Sequence, residues 1–167
     1  MELEIFYDYA CPYCMRNYDF LPELLSARSD ITPVWRPCEA HPKPEVYSRY
    51  SELLVQCFFF AQAAGVDLWA FHTQLYRAAL VDRIDIEDID ALAAYLGGTL
   101  DSAALTRALR DGVYAPAQRQ NNDYAYEEND VWALPSYRMA GRKLDSVEGV
   151  GVSRAQFEAF LAEDGGH

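Results

Sequence analysis

The chain has 167 residues, of which 51% are hydrophobic and 14% aromatic, enough for one well-packed domain or one domain carrying an insertion. Fourteen basic against 26 acidic residues give a net charge of −12, which argues against nucleic acid as a partner. Four cysteines are too few for a disulfide scaffold, and no segment has the ~20 apolar residues of a membrane span: the longest run, 53–64, is broken by Gln56 and Gln62.

A strand pattern begins at Leu3 with no basic and then apolar leader before it. With Met1 as the natural start, the expected compartment is the cytoplasm, where a Cys-x-x-Cys pair serves catalysis or metal binding rather than lasting structural cross-links.

Leu3–Tyr7 reads as a strand and is followed by Cys11-Pro12-Tyr13-Cys14. Proline at the second position suits the first turn of a helix, where no N–H is needed. Cys14, Tyr18, Leu21 and Leu25 then recur at helical spacing, with Pro22 expected to kink one helix. Ile31–Trp35 reads as a second strand, and Pro33 within it places that strand at a sheet edge. This is a βαβ unit with a parallel pair.

Beyond the stiff His41-Pro42-Lys43-Pro44 connector, residues 45–112 read as a helical block. Its predicted helices are 47–64, 67–80, one capped by Asp85 and ended by Gly97-Gly98, and one opened by Asp101 or Ser102 and closed at Gly112. A helix over 117–128 follows, although its polar 118–123 stretch weakens the pattern. Pro135–Ala140 and Lys143–Val147 form a predicted hairpin at Gly141, and Ser153 with Gln156 makes a capping box for a last helix.

This order predicts an α/β fold: residues 1–44 and 113–167 form a mixed sheet flanked by helices, and residues 45–112 form an all-helical domain inserted after the second strand. Asp8-Tyr9-Ala10-Cys11-Pro12-Tyr13-Cys14, Trp35-Arg36-Pro37 and Ala133-Leu134-Pro135-Ser136-Tyr137 together resemble the DsbA-like thiol–disulfide oxidoreductases of thioredoxin-like fold. The missing leader makes the chain most similar to the cytoplasmic FrnE-like branch.

The resemblance implies a protein disulfide oxidoreductase that exchanges its Cys11–Cys14 dithiol with protein or small-molecule thiols through a mixed disulfide. No metal or resident cofactor is implied; glutathione or another thioredoxin-like protein is the expected electron partner, with no membrane or nucleic acid involved. It also implies that Pro135 is a cis-proline presenting the backbone of Leu134 to an extended substrate. Pro12 and Tyr13 belong to the same substrate-binding set.

Residue chemistry agrees for the dithiol. A cysteine at a helix start is stabilised as thiolate, so Cys11 is the expected nucleophile and Cys14, one turn on, the resolving thiol. A zinc site completed by Cys38 and His41 is the competing reading, with poor spacing. Asp8 is the candidate proton relay for Cys14, against a plain capping role; Glu4 competes for the same task. Cys38 and Cys57 read as small buried hydrophobes, with an auxiliary redox pair as the alternative. Tyr9, Tyr13 and Trp132 are candidates for the substrate groove, Trp132 being better read as core. Phe58–Phe60 read as core, His41 and His72 as structural, and His167 as uninformative.

Two other function classes share the layout. Kappa-class glutathione transferases and hydroxychromene-carboxylate isomerases use a serine near the position of Cys11. A chaperone or binding module would carry a vestigial dithiol.

Overall fold

A computed structural model describes residues 1–163. The reading of His167 falls outside them.

Four strands form one sheet in the order β2-β1-β3-β4. β1 (Glu2–Tyr7) runs parallel to β2 (Thr32–Pro37) and antiparallel to β3 (Ser136–Met139), which pairs antiparallel with β4 (Arg142–Asp145). Ile5 sits opposite Trp35 on one side and Tyr137 on the other. β2 lies at the edge, where the missing N–H groups of Pro33 and Pro37 cost no ladder bond.

Between β1 and β2 the chain forms two helices, α1 (Pro12–Tyr18) and α2 (Leu21–Ser26), and not one kinked helix. A proline ring clashes with the carbonyl four residues back and offers no N–H. The chain therefore breaks at Asp19-Phe20 and takes Pro22 into the first turn of a new helix, where that N–H is not needed.

Only helices lie between β2 and β3: α3 (Glu52–Ala64), α4 (Leu68–Tyr76), α5 (Ile89–Tyr95), α6 (Ser102–Arg110) and α7 (Ala115–Asp123). α4 and α7 each end in a π-helical turn, Arg77–Val81 and Tyr124–Glu128. α8 (Arg154–Ala162) follows the hairpin and starts with the Ser153–Gln156 capping box.

The sequence reading needs two boundary corrections. α3 begins at Glu52 and not at Tyr47, because residues 45–50 close a turn of their own. In it the Tyr50 hydroxyl donates to the Glu45 carbonyl at 2.7 Å and accepts from the Tyr47 N–H at 3.3 Å. Asp88 and not Asp85 caps α5, by accepting from the Ala91 N–H at 2.9 Å; Asp85 holds the turn before it through the Glu87 N–H.

The helices are tied to the sheet by polar groups as well as by packing. The Gln118 and Asn122 amides each donate to one Glu39 carboxylate oxygen at 2.7 Å, and Asn121 donates to the Pro37 carbonyl. The polar stretch of α7 is thus an attachment face directed at the end of β2. Phe58 is fully buried, while Phe59 and Phe60 are half-buried against Tyr114.

Candidate active site

β1 ends at Tyr7, and the chain turns through Asp8–Ala10, with the Cys11 N–H donating to the Asp8 carbonyl at 3.1 Å. Cys11 has extended dihedrals (φ −97°, ψ 116°) and stands just before the first helical residue, Pro12. This places Cys11 half-exposed and Cys14 buried (2% exposed) at one helix end. All four cysteines are free thiols.

The two sulfurs differ in acidity. The Cys14 thiol hydrogen-bonds the Cys11 sulfur and, with the N–H groups of Cys14 and Tyr13, lowers the Cys11 pKa; burial and the nearby Asp8 oppose this. Burial first, and then Cys11 itself, push Cys14 well above the ordinary thiol range. Cys38 and Cys57 are fully buried and also raised, Cys57 to about 12, in both cases chiefly by burial.

The Leu134–Pro135 peptide is cis and enters β3. The Cys11 Sγ lies 3.7 Å from the Leu134 carbonyl oxygen, so residues 123 positions apart meet at this sulfur.

Asp8 is buried (3% exposed) and accepts three hydrogen bonds, from the Ala10 N–H (2.9 Å), the Ala40 N–H (2.8 Å) and the Ser51 hydroxyl (2.9 Å). Burial raises its pKa against those bonds. Glu4 is engaged elsewhere, by Arg36 at 2.8 Å and the Tyr124 hydroxyl at 2.6 Å.

Two hollows flank the dithiol. One, of about 190 Å³, is lined by Asp8, Cys11, Tyr13, His41, Tyr47 and Arg49 among others. The second, of about 230 Å³, includes Tyr13, His41, Trp132, Leu134 and Val147, so Tyr13 and His41 form a shared wall. A larger hollow of about 480 Å³ lies at the opposite end of β1, against Glu2, Arg138 and Lys143, and touches no cysteine.

Two aromatic readings change. Trp132 is 89% exposed and walls the second hollow, while its neighbours Val131 and Leu134 are buried. Tyr9 is fully buried and no part of a groove, because its hydroxyl bonds His72 Nδ1 at 2.7 Å and Tyr7 at 3.0 Å. Tyr13 does line both hollows.

Sequence reasoning missed His41, Tyr47 and Arg49 as cleft residues. His41 stacks on Tyr47 (3.7 Å between centroids) and pairs with Glu45 at 2.7 Å. The signal was there in the density of ring and cationic side chains over 41–50, an unusual load for a connector. Among the described residues, no three His, Cys, Asp or Glu side chains are grouped to hold a metal ion.

No family model matches the chain. It is 23% identical to the uncharacterized protein YwbO of Bacillus subtilis, over 98% of this chain and 97% of that protein. Among solved structures, a probable DsbA oxidoreductase from Streptomyces coelicolor superposes with a TM-score of 0.78 at 17% identity, covering 98% of this chain and 89% of that one. BdbD from Bacillus subtilis, in its oxidised form, gives 0.71 at 15% identity over 96% and 84%. The cytosolic disulfide reductase DsbM from Pseudomonas aeruginosa, solved with GSH, gives 0.69 at 15% identity over 98% of both chains. Sheet order, helical insertion and these superpositions together identify the chain as having the thioredoxin-like fold of the DsbA-like oxidoreductases.

Proposed function

We propose that the chain is a thiol–disulfide oxidoreductase working through Cys11 and Cys14. The observation that carries this is geometric: a half-exposed thiol at the start of α1 beside the cis Leu134–Pro135 peptide, with a second, buried thiol one turn on; the opposite directions of their pKa shifts agree with it.

In the reducing direction the Cys11 thiolate attacks a substrate disulfide. A Cys11–substrate disulfide forms, and the first substrate thiolate leaves. Cys14 must then lose its proton. Asp8, buried nearby and felt electrostatically by both cysteines, is the group we assign to take it. The Cys14 thiolate attacks the Cys11 sulfur, closes the Cys11–Cys14 disulfide and releases the second substrate thiolate. Two electrons pass from the protein dithiol to the substrate disulfide, and the reverse sequence oxidises a substrate dithiol.

Leu134 and Pro135, with Pro12 and Tyr13, are the substrate-binding residues in this reading. The Leu134 backbone beside Cys11 offers an extended chain a strand-like partner. Glutathione is the electron partner we favour, and the cytoplasm the compartment; the cytosolic disulfide reductase solved with GSH is a structural neighbour that supports both. Among the described residues no helix is long and apolar enough to cross a membrane.

The test is equilibration of the dithiol with glutathione buffers of set ratio, beside insulin reduction. We expect a two-electron Cys11–Cys14 couple, and a Cys14→Ser variant that stalls as a Cys11 mixed disulfide. A protein whose Cys11 and Cys14 never pair in an oxidised buffer is not this enzyme.

A further inference from the structure

The chain carries an excess of 12 negative charges, so its average field repels anions. The hollow beside Cys11 carries a cation, Arg49, as well as the buried carboxylate of Asp8. Arg49 lines it, held by two hydrogen bonds that its guanidinium donates to the Ala79 and Ile84 carbonyls, both 2.8 Å. Carbonyls orient a guanidinium but do not neutralise it. Arg36, Arg138 and Arg154 each lie within 3 Å of a carboxylate; Arg49 has no carboxylate partner among the described residues.

The acids near this hollow have hydrogen-bond partners of their own, and neither bonds Arg49. Asp8 accepts from Ala10 on one oxygen and from Ala40 and Ser51 on the other, and Glu45 holds His41. Arg49 therefore stands as a fixed cation with spare N–H donors on the wall that also carries the nucleophile. Its hollow, of about 190 Å³, suits a small terminal group better than a folded partner.

We propose that Arg49 is a specificity-determining residue: the hollow takes a carboxylate of an anionic thiol or disulfide, a chemistry shared by glutathione and acidic cysteine peptides. This rests on the exchange reading of Cys11 and Cys14. It adds the charge class of the substrate and the residue that selects it.

The test follows the rate at which reduced protein reacts with four disulfides: dicationic cystamine, neutral hydroxyethyl disulfide, dithiodiglycolate and glutathione disulfide. Each rate is divided by that of the same disulfide with dithiothreitol. Dithiodiglycolate and glutathione disulfide should outpace cystamine by about tenfold at low salt, with the gap closing as ionic strength rises. Arg49→Gln should abolish the gap, and Arg49→Lys should retain part of it.

If dithiodiglycolate and glutathione disulfide gain equally, the carboxylate itself is read. A gain confined to glutathione disulfide and lost in Arg49→Gln assigns the same contact to the tripeptide. Faster reaction with cystamine, or an anion preference that survives Arg49→Gln, overturns the proposal. If Arg49→Gln does not fold, Arg49→Lys decides: a gap unchanged from the wild type overturns the role of Arg49, and a reduced one supports it. Failure of all four disulfides to react would instead overturn the exchange reading, and this inference with it.

Discussion

The Ser51 hydroxyl donates to the buried carboxylate of Asp8 at 2.9 Å, joining the start of α3 to the turn that delivers Cys11. Removing it in Ser51→Ala leaves an acceptor at Asp8 buried with one partner fewer. The expected cost is about 1–2 kcal/mol in denaturant unfolding. The same variant should also shift the pH profile of Cys14-dependent resolution, because the hydroxyl helps to keep Asp8 ionised. Resolution with an unchanged profile would remove Asp8 from the proton path.

Alkylation separates the four sulfurs. At neutral pH only Cys11 combines exposure with a lowered pKa. Iodoacetamide should therefore modify one thiol per native chain, with all four reacting after denaturation; peptide mass mapping checks both. The pH dependence of that single reaction should show a midpoint below the ~8.5 of a free cysteine.

Tyr13, between the two cysteines, packs on Gly151. A Cβ at residue 151 would lie 3.1 Å from the Tyr13 Cδ1, and Gly151 has φ +82°. Gly151→Ala should lose about 1–2 kcal/mol of stability from the backbone alone. It should also push Tyr13 from the wall shared by both hollows and slow exchange. Gly149→Ala is the control, since it shares a positive φ but meets nothing within 4 Å. It should lose stability without changing the exchange rate.

His72 gives an acid dependence with a defined sign. Burial lowers its pKa to about 3, against an ordinary value near 6.5. The folded protein keeps the ring neutral while the unfolded chain takes up a proton. Stability is therefore full above about pH 6.5 and falls as pH drops towards 3. Between pH 7 and pH 4 the wild type should lose on the order of 3 kcal/mol more than His72→Phe, read by urea unfolding. Asp8 and Glu39, both raised chiefly by burial, act in the opposite sense and are common to both proteins.

Much of the layout was legible because local rules agreed with it. Pro12 behind Cys11 marked a helix start, Pro33 an edge strand, and Ser153 with Gln156 the last helix. Failures came where periodicity and chain breaks coincide. Leu21 and Leu25 continue the spacing of Cys14 and Tyr18, so the break at Asp19-Phe20 was invisible until Pro22 was placed in a first turn. Trp132 read as core on its chemistry alone, because nothing local records that it turns outward while its neighbours Val131 and Leu134 are buried. The cleft role of His41 and Arg49 depends on where the connector folds back, a long-range fact.

β2 carries proline at two of its six positions, and β4, the opposite border of the sheet, is four residues long and bears Arg142, Lys143 and Asp145. Neither border is an inviting template for a stray β-segment. The flanks of the sheet resist sticky, fibre-like stacking, and under the proposed exchange reaction an extended substrate is left the Leu134 backbone beside Cys11.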